Sequence, residues 1–218
     1  MSAFPKNNIN TVTRVPRRAV YEREVVNAIL DEGIMCHAGL IQNNQPVVIP
    51  TMYARDGDAV IIHGSTESRL MQYSGSGQPI CLTVTLSDGL VLARSLYNHS
   101  MNYRSVVLFG CGSLIEVESE RVAALERLSQ HIIPGRWGDA RVPNAREVEI
   151  AAVARITIES ASAKVRTGPP IDFQHDYELD VWAGVIPMRT SFGPAENDSK
   201  LSSGIAVPHY VRDYQRGQ

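Results

Sequence analysis

The sequence predicts a mainly β protein, an antiparallel Greek-key β-barrel with a few short helices. Two observations lead there: short β-type runs follow one another with turn dipeptides between them, and helical periodicity is confined to brief segments. Closing such a series into a barrel removes the strand edges that would otherwise invite aggregation. The 218 residues are 44% hydrophobic and 20% charged, an ordinary globular composition with room for one substantial core. A single domain over residues 21–190 is expected, between an extended arm at 1–20, polar and interrupted by Pro5 and Pro16, and a Gly-, Pro- and Ser-rich tail at 191–218 that is ordered only where it docks.

Val25, Val26, Ile29 and Leu30 recur at helical spacing, so Tyr21–Glu32 reads as an amphipathic helix. Met35–Gln42 and Pro46–Ala54 flank Asn43-Asn44, Asp56-Gly57 precedes Asp58–His63, and Cys81–Leu86 and Leu90–Ala93 flank Asp88-Gly89. Asn and Gly reach the positive φ of tight turns, so each pair is expected to be an antiparallel hairpin. Tyr103–Val117 reads as one long strand, bent at Gly110 or Gly112. Ser119 is expected to cap a helix running to about His131, with Val122, Leu125 and Leu128 on its apolar face, and Asn144 with Glu147 has capping-box spacing. Val153–Ile158 and Val181–Met188 complete the strands, while Lys164 and Arg166 read either as side chains that meet phosphate or the partner chain or as solvated side chains on a loop.

Composition also excludes. A formal charge of −2 leaves no basic footprint for nucleic acid, which makes a small molecule the expected ligand. Cys36, Cys81 and Cys111 cannot all pair within one chain, show no zinc-type spacing, and read as small buried hydrophobes in a reducing compartment, so no metal site is expected. The first residues carry Lys6, Arg14, Arg17 and Arg18 without an apolar stretch behind them, and no run approaches the roughly 20 apolar residues of a membrane helix. A cytoplasmic protein with no membrane partner is expected.

The block from Val48 to Arg69 carries the chemistry. A strand ends at His63, Gly64-Ser65 allows a turn, and a helix follows with Ser68 and Arg69 in its first turn. Free N–H groups at a helix start, with a serine and an arginine beside them, suit a phosphate. The order of IPTMYAR, IIHGSTESR, LARSLYNHSMNYRSVVLFG, SAKVRTGPP and VWAGVIP resembles the FMN-binding split barrels of the pyridoxamine 5'-phosphate oxidase superfamily, nearest to its nitroimidazole-resistance reductase branch, over residues 20–190. That resemblance implies a homodimer with FMN at the subunit interface. It implies that Pro50, Thr51, Met52 and Tyr53 edge the flavin ring, with His63 and Gly64 beside them, and that Ser68 and Arg69 hold the phosphate. It further implies contacts from Asn102, Tyr103, Arg104, Ser105 and Trp182, and Lys164 is a further cofactor-binding candidate through its charge. His63 matches a histidine near the flavin in the nitroimidazole reductases and is the candidate catalytic residue, with His99 a candidate on the substrate side.

The expected activity is flavin-mediated electron transfer from NADH or NADPH, bound transiently, to a small nitroaromatic or quinone-like acceptor. No G-x-G-x-x-G is present to bind a dinucleotide permanently. The rival reading is a flavin-binding or flavin-sequestering module without a substrate. Haem binding through His63 or His99 is a lesser alternative, and vitamin B6 oxidation is disfavoured because no substrate-phosphate segment is found near Ile186–Arg189.

Overall fold

Hydrogen bonding and turn chemistry divide the chain into short elements in a computed structural model that describes residues 2–216. A short strand, Ala19–Val20 (β1), precedes the helix Arg23–Glu32 (α1), which buries Val26, Ile29 and Leu30. Met35–Gln42 (β2) and Gln45–Asp56 (β3) form the expected hairpin, Asn43 and Asn44 taking φ of 51° and 58°, the conformation a two-residue type I′ turn requires. Gly57, at φ 60°, turns the chain into Ala59–Ser65 (β4). Arg69–Gly75 (α2) leads to the long strands Pro79–Leu92 (β5) and Ser100–Leu114 (β6). After them come Glu118–Ile132 (α3), Arg136–Asp139 (α4), Ala145–Ile150 (α5), Ala151–Thr157 (β7), Ser160–Arg166 (β8), Gly184–Pro187 (β9) and His209–Arg212 (α6).

The strands run β1-β8-β6-β7-β4-β3-β2-β5-β9, and β6 also pairs with β5, which closes an antiparallel ring. β6 makes closure possible by changing neighbours. Residues 103–109 pair with β8, and Gly112–Leu114 pair with β7. The corner lies between, where a Cβ on Gly110 would stand 1.8 Å from the Thr157 carbonyl oxygen and one on Gly112 2.6 Å from that of Ser74. Only glycine permits the approach, as the sequence suggested. Inside the ring Val26, Leu30, Tyr53, Ile62, Leu82, Val84, Leu108 and Ile156 form the main core. Leu128 and Ala124 of α3 cover a second cluster on Ala54, Ile61 and Val153.

Several expectations are corrected. Asp88-Gly89 is not a hairpin turn: β5 runs unbroken from Pro79 to Leu92 with a bulge at Ser87/Gly89. The Asp88 carboxylate is spent on Arg104, so its local preference for a turn loses to two long strands pairing side by side. Lys164 and Arg166 stand on β8, not on a loop, and Arg166 is buried. Helix α3 has Val117, not Ser119, at its N-cap, whereas Asn144 and Glu147 make both hydrogen bonds of the capping box. The arm docks: Phe4 is 2% exposed under the Arg23 guanidinium, and the Asn10 side chain donates to the carbonyls of Pro5 and Ala161. The tail returns to α3 and α4, where the Tyr210 hydroxyl donates to Asp139 and the Tyr214 hydroxyl to the Ile132 carbonyl. Among the described residues no helix is long and apolar enough to cross a membrane.

Candidate functional site

The β3–β4 hairpin pairs over four rungs only, from Asp56↔Ala59 to Tyr53↔Ile62. Beyond them the strands part. β3 continues against β2 from Met52 to Gln45, and β4 continues against β7 from His63 to Ser65. Along the split, the side of β3 away from β2 and the side of β4 away from β7 have no strand neighbour. Backbone N–H and C=O groups there need partners from outside the sheet. Met52 and Pro50, which lacks an N–H, form one lip, while Thr51 between them turns its backbone to Cys36 of β2; His63 and Gly64 form the other. Tyr53 marks the apex, but its side chain is core: fully buried, with its hydroxyl donating to the Leu30 carbonyl at 2.6 Å. Burial raises its pKa above the usual phenol range.

His63 is half-buried, and its Nδ1 is shut off from solvent with no hydrogen-bond partner. Burial lowers its pKa, so the ring is neutral near pH 7 and has one donor and one acceptor nitrogen. An orphaned buried nitrogen beside unpaired strand edges is the feature of the split that most calls for a ligand. Gly64 packs closely, since a Cβ there would approach the Met71 side chain of α2 to 3.2 Å and that side chain would have to shift.

Past Ser65 the chain turns through a Ser68 N–H to Ser65 carbonyl bond of 2.9 Å into α2. Ser68 holds the N-cap without using its side chain, and Arg69 is exposed with no ion pair among the described residues. A serine hydroxyl and a guanidinium are thus both free at the mouth of the split.

The remaining sequence candidates separate. Tyr103 and Ser105 pair with Arg166 and Lys164, and strand alternation puts both, with Lys164, on the outer sheet face. Arg104 is directed the other way, to the carboxylates of Glu32 and Asp88, whose hydrogen bonds raise its pKa. Asn102 is buried, its amide held by Arg166 and the Gly168 carbonyl. These four consecutive residues therefore do not line one pocket together. Trp182 is 66% exposed over Gly184, and His99 is exposed after a 3-10 turn. The three thiols are unpaired, and burial raises all their pKa values, that of Cys36 to about 12. Gly39 on the outer face of β2 lines an apolar cavity of about 530 Å³ with Ile41, Val48, Cys81 and Phe109, which the sequence reading did not anticipate. It lies in an ordinary alternating strand, and the other walls come from strands distant in sequence.

A six-strand antiparallel ring whose hairpin parts into a split defines a split barrel. Residues 22–165 match the pyridoxamine 5'-phosphate oxidase family, and the chain belongs to it. Two solved structures resemble it over nearly their full length. The flavocytochrome Anf3 from Azotobacter vinelandii is 42% identical, with 97% of this chain and 98% of that one covered at a TM-score of 0.91. The FAD and heme binding protein from Mycobacterium smegmatis is 30% identical, with 91% and 98% covered at a TM-score of 0.87. A 5-nitroimidazole antibiotic resistance protein from Bacteroides thetaiotaomicron, 19% identical over 67% of this chain and 86% of its own at a TM-score of 0.57, shares the fold. No curated protein matches the chain.

Proposed function

We propose that this protein is a flavin- and haem-dependent electron-transfer protein of the flavocytochrome kind. The observation carrying this reading is its 42% identity, over 97% of its length, to a protein named as a flavocytochrome. FAD is favoured over the FMN of the sequence reading because a relative 30% identical over 91% of the chain is named for FAD. The split supports flavin binding. The Met52 backbone and the Pro50 carbonyl, directed away from β2, offer hydrogen-bonding groups to the edge of a planar ring, His63 offers a neutral imidazole nitrogen, and Ser68 and Arg69 offer a hydroxyl and a charge to phosphate. When bound, a flavin takes up a hydride equivalent and releases electrons singly, and a haem accepts them singly. The chain's contribution is to orient the ring, to hold a proton on or off His63, and to leave one face open to NADH or NADPH.

A homodimer belongs to the same proposal. Met35, Ile41, Val48 and Met52, each between 46% and 63% exposed, share the outer face of β2 and β3, and a second copy is the cover this face fits. The deciding experiment is a visible spectrum of the purified chain, followed by chromatography of the released flavin and anaerobic addition of NADH or NADPH. Bound FAD, a Soret band and rapid bleaching are expected. A colourless protein that takes up neither FAD nor FMN would refute the reading. A bound flavin that no nicotinamide donor bleaches would instead favour a sequestering module.

A further inference from the structure

We infer that Arg166, Arg18 and Lys164 form a phosphate-binding site on the β8 side of the barrel, separate from the split. β8 pairs with β1 and β6 and shares no rung with β3 or β4, so this site and the lips of the split stand on different strands.

Arg166 is the one arginine that is buried among the described residues, at 6% exposure. Its terminal nitrogens donate to the Asn102 side-chain oxygen and to the carbonyls of Gly168 and Pro169, the last at 3.2 Å. Gly168 takes a φ of 91°, a conformation open to glycine that turns the chain back toward the guanidinium after β8. Every one of these acceptors is neutral, and Nε is shut off from solvent with no acceptor at all. Among the described residues no carboxylate pairs with Arg166, whereas the half-buried Arg55, Arg94 and Arg104 each meet one. A buried charge without a counter-charge is costly to keep in a fold.

The neighbours add positive charge instead of removing it. The 3-10 turn Pro16–Arg18 leads into β1, where Ala19 is the Cα partner of Lys164. Burial, and after it the charge of the nearby Arg18, lower the Arg166 pKa. Lys164 precedes Arg166 by two residues on β8, and strand alternation puts both on one side of it. Arg18 and Lys164 are half-buried, so solvent reaches them, and neither forms an ion pair among the described residues. Tyr103, the Cα partner of Arg166, has a hydroxyl without a hydrogen bond among the described residues.

Three cations gathered without an acid repel one another, and a bound dianion reverses that balance. A phosphate monoester carries close to two negative charges and three acceptor oxygens, which suits three cations and a hydroxyl better than a single carboxylate does. Arg166, fixed by Asn102 and the two carbonyls, supplies a charge already in place. Arg18 and Lys164 supply charges that can close on the ligand from the solvent side.

The test titrates inorganic phosphate into the full chain by calorimetry at constant ionic strength, which holds general screening fixed. Saturable binding is expected in wild type, and Arg69→Ala, which removes the charge of the split, should retain it. Arg18→Ala and Lys164→Ala should each weaken it roughly tenfold or more, the scale of one charge-assisted hydrogen bond. Arg166→Met should abolish it; should that variant fail to fold, the two outer variants decide. A wild type that takes up no phosphate, or outer variants that bind it within twofold of wild type, would overturn the site. Titrations with NADPH and NADH then identify where the phosphate comes from. A tenfold preference for NADPH that Arg18→Ala removes would assign the site to the ribose phosphate of that donor. Equal affinities, with phosphate binding still lost in Arg18→Ala, would assign it to a free phosphoester.

Discussion

Replacing Arg69 by alanine isolates the phosphate end of the split. The guanidinium is exposed, makes no ion pair among the described residues, and begins α2 beside the free hydroxyl of Ser68. Its loss therefore leaves no buried charge behind, and folding stability should stay within about 0.5 kcal/mol of wild type. If the side chain meets a flavin phosphate, its removal deletes a charge-assisted hydrogen bond worth about 1.5–3 kcal/mol. At about 1.4 kcal/mol per tenfold, flavin affinity should fall roughly ten- to hundredfold. The assay is a fluorescence titration of the flavin-free chain with FAD and with FMN, repeated at raised salt, alongside urea unfolding. Raised salt should weaken the wild type more than the variant, because the screened interaction is the one deleted. Flavin affinity within twofold of wild type, with stability unchanged, would show that the phosphate lies elsewhere.

Three further outcomes follow from the same geometry. Gly110→Ala drives a Cβ into the Thr157 carbonyl, 1.8 Å away in the unrelaxed structure; it should destabilise the barrel by more than about 3 kcal/mol in urea unfolding, and a smaller loss would mean the corner yields. The Glu147 pKa is lowered to about 2 by its hydrogen bonds with Arg141 and the Asn144 backbone. Its contribution is therefore complete above the unfolded value of about 4.5 and is lost as pH falls toward 2, so Glu147→Gln should flatten stability against pH in that window. Burial lowers the His63 pKa, so below about pH 6.5 the unfolded chain takes up a proton more readily than the folded one; flavin-free His63→Gln should lose less stability than wild type between pH 7 and 5, and parallel curves would place the ring in solvent.

What the sequence made legible is what neighbours along the chain decide. Asn43-Asn44 and Gly57 supply the φ their turns need, Asn144 reaches Glu147 within one helical turn, and Gly110 sits inside a strand where a side chain cannot fit. Strand β8 was missed because Ser160-Ala161-Ser162-Ala163 lacks the β-branched and aromatic residues that announce a strand; its backbone pairs with β1 on one side and β6 on the other, which the local sequence does not reveal. Asp88-Gly89 has the composition of a turn, yet its place is fixed by Arg104, sixteen residues on. The lips of the split were named from resemblance alone. The parting of β3 from β4 follows from which distant strand each meets next, β2 for one and β7 for the other.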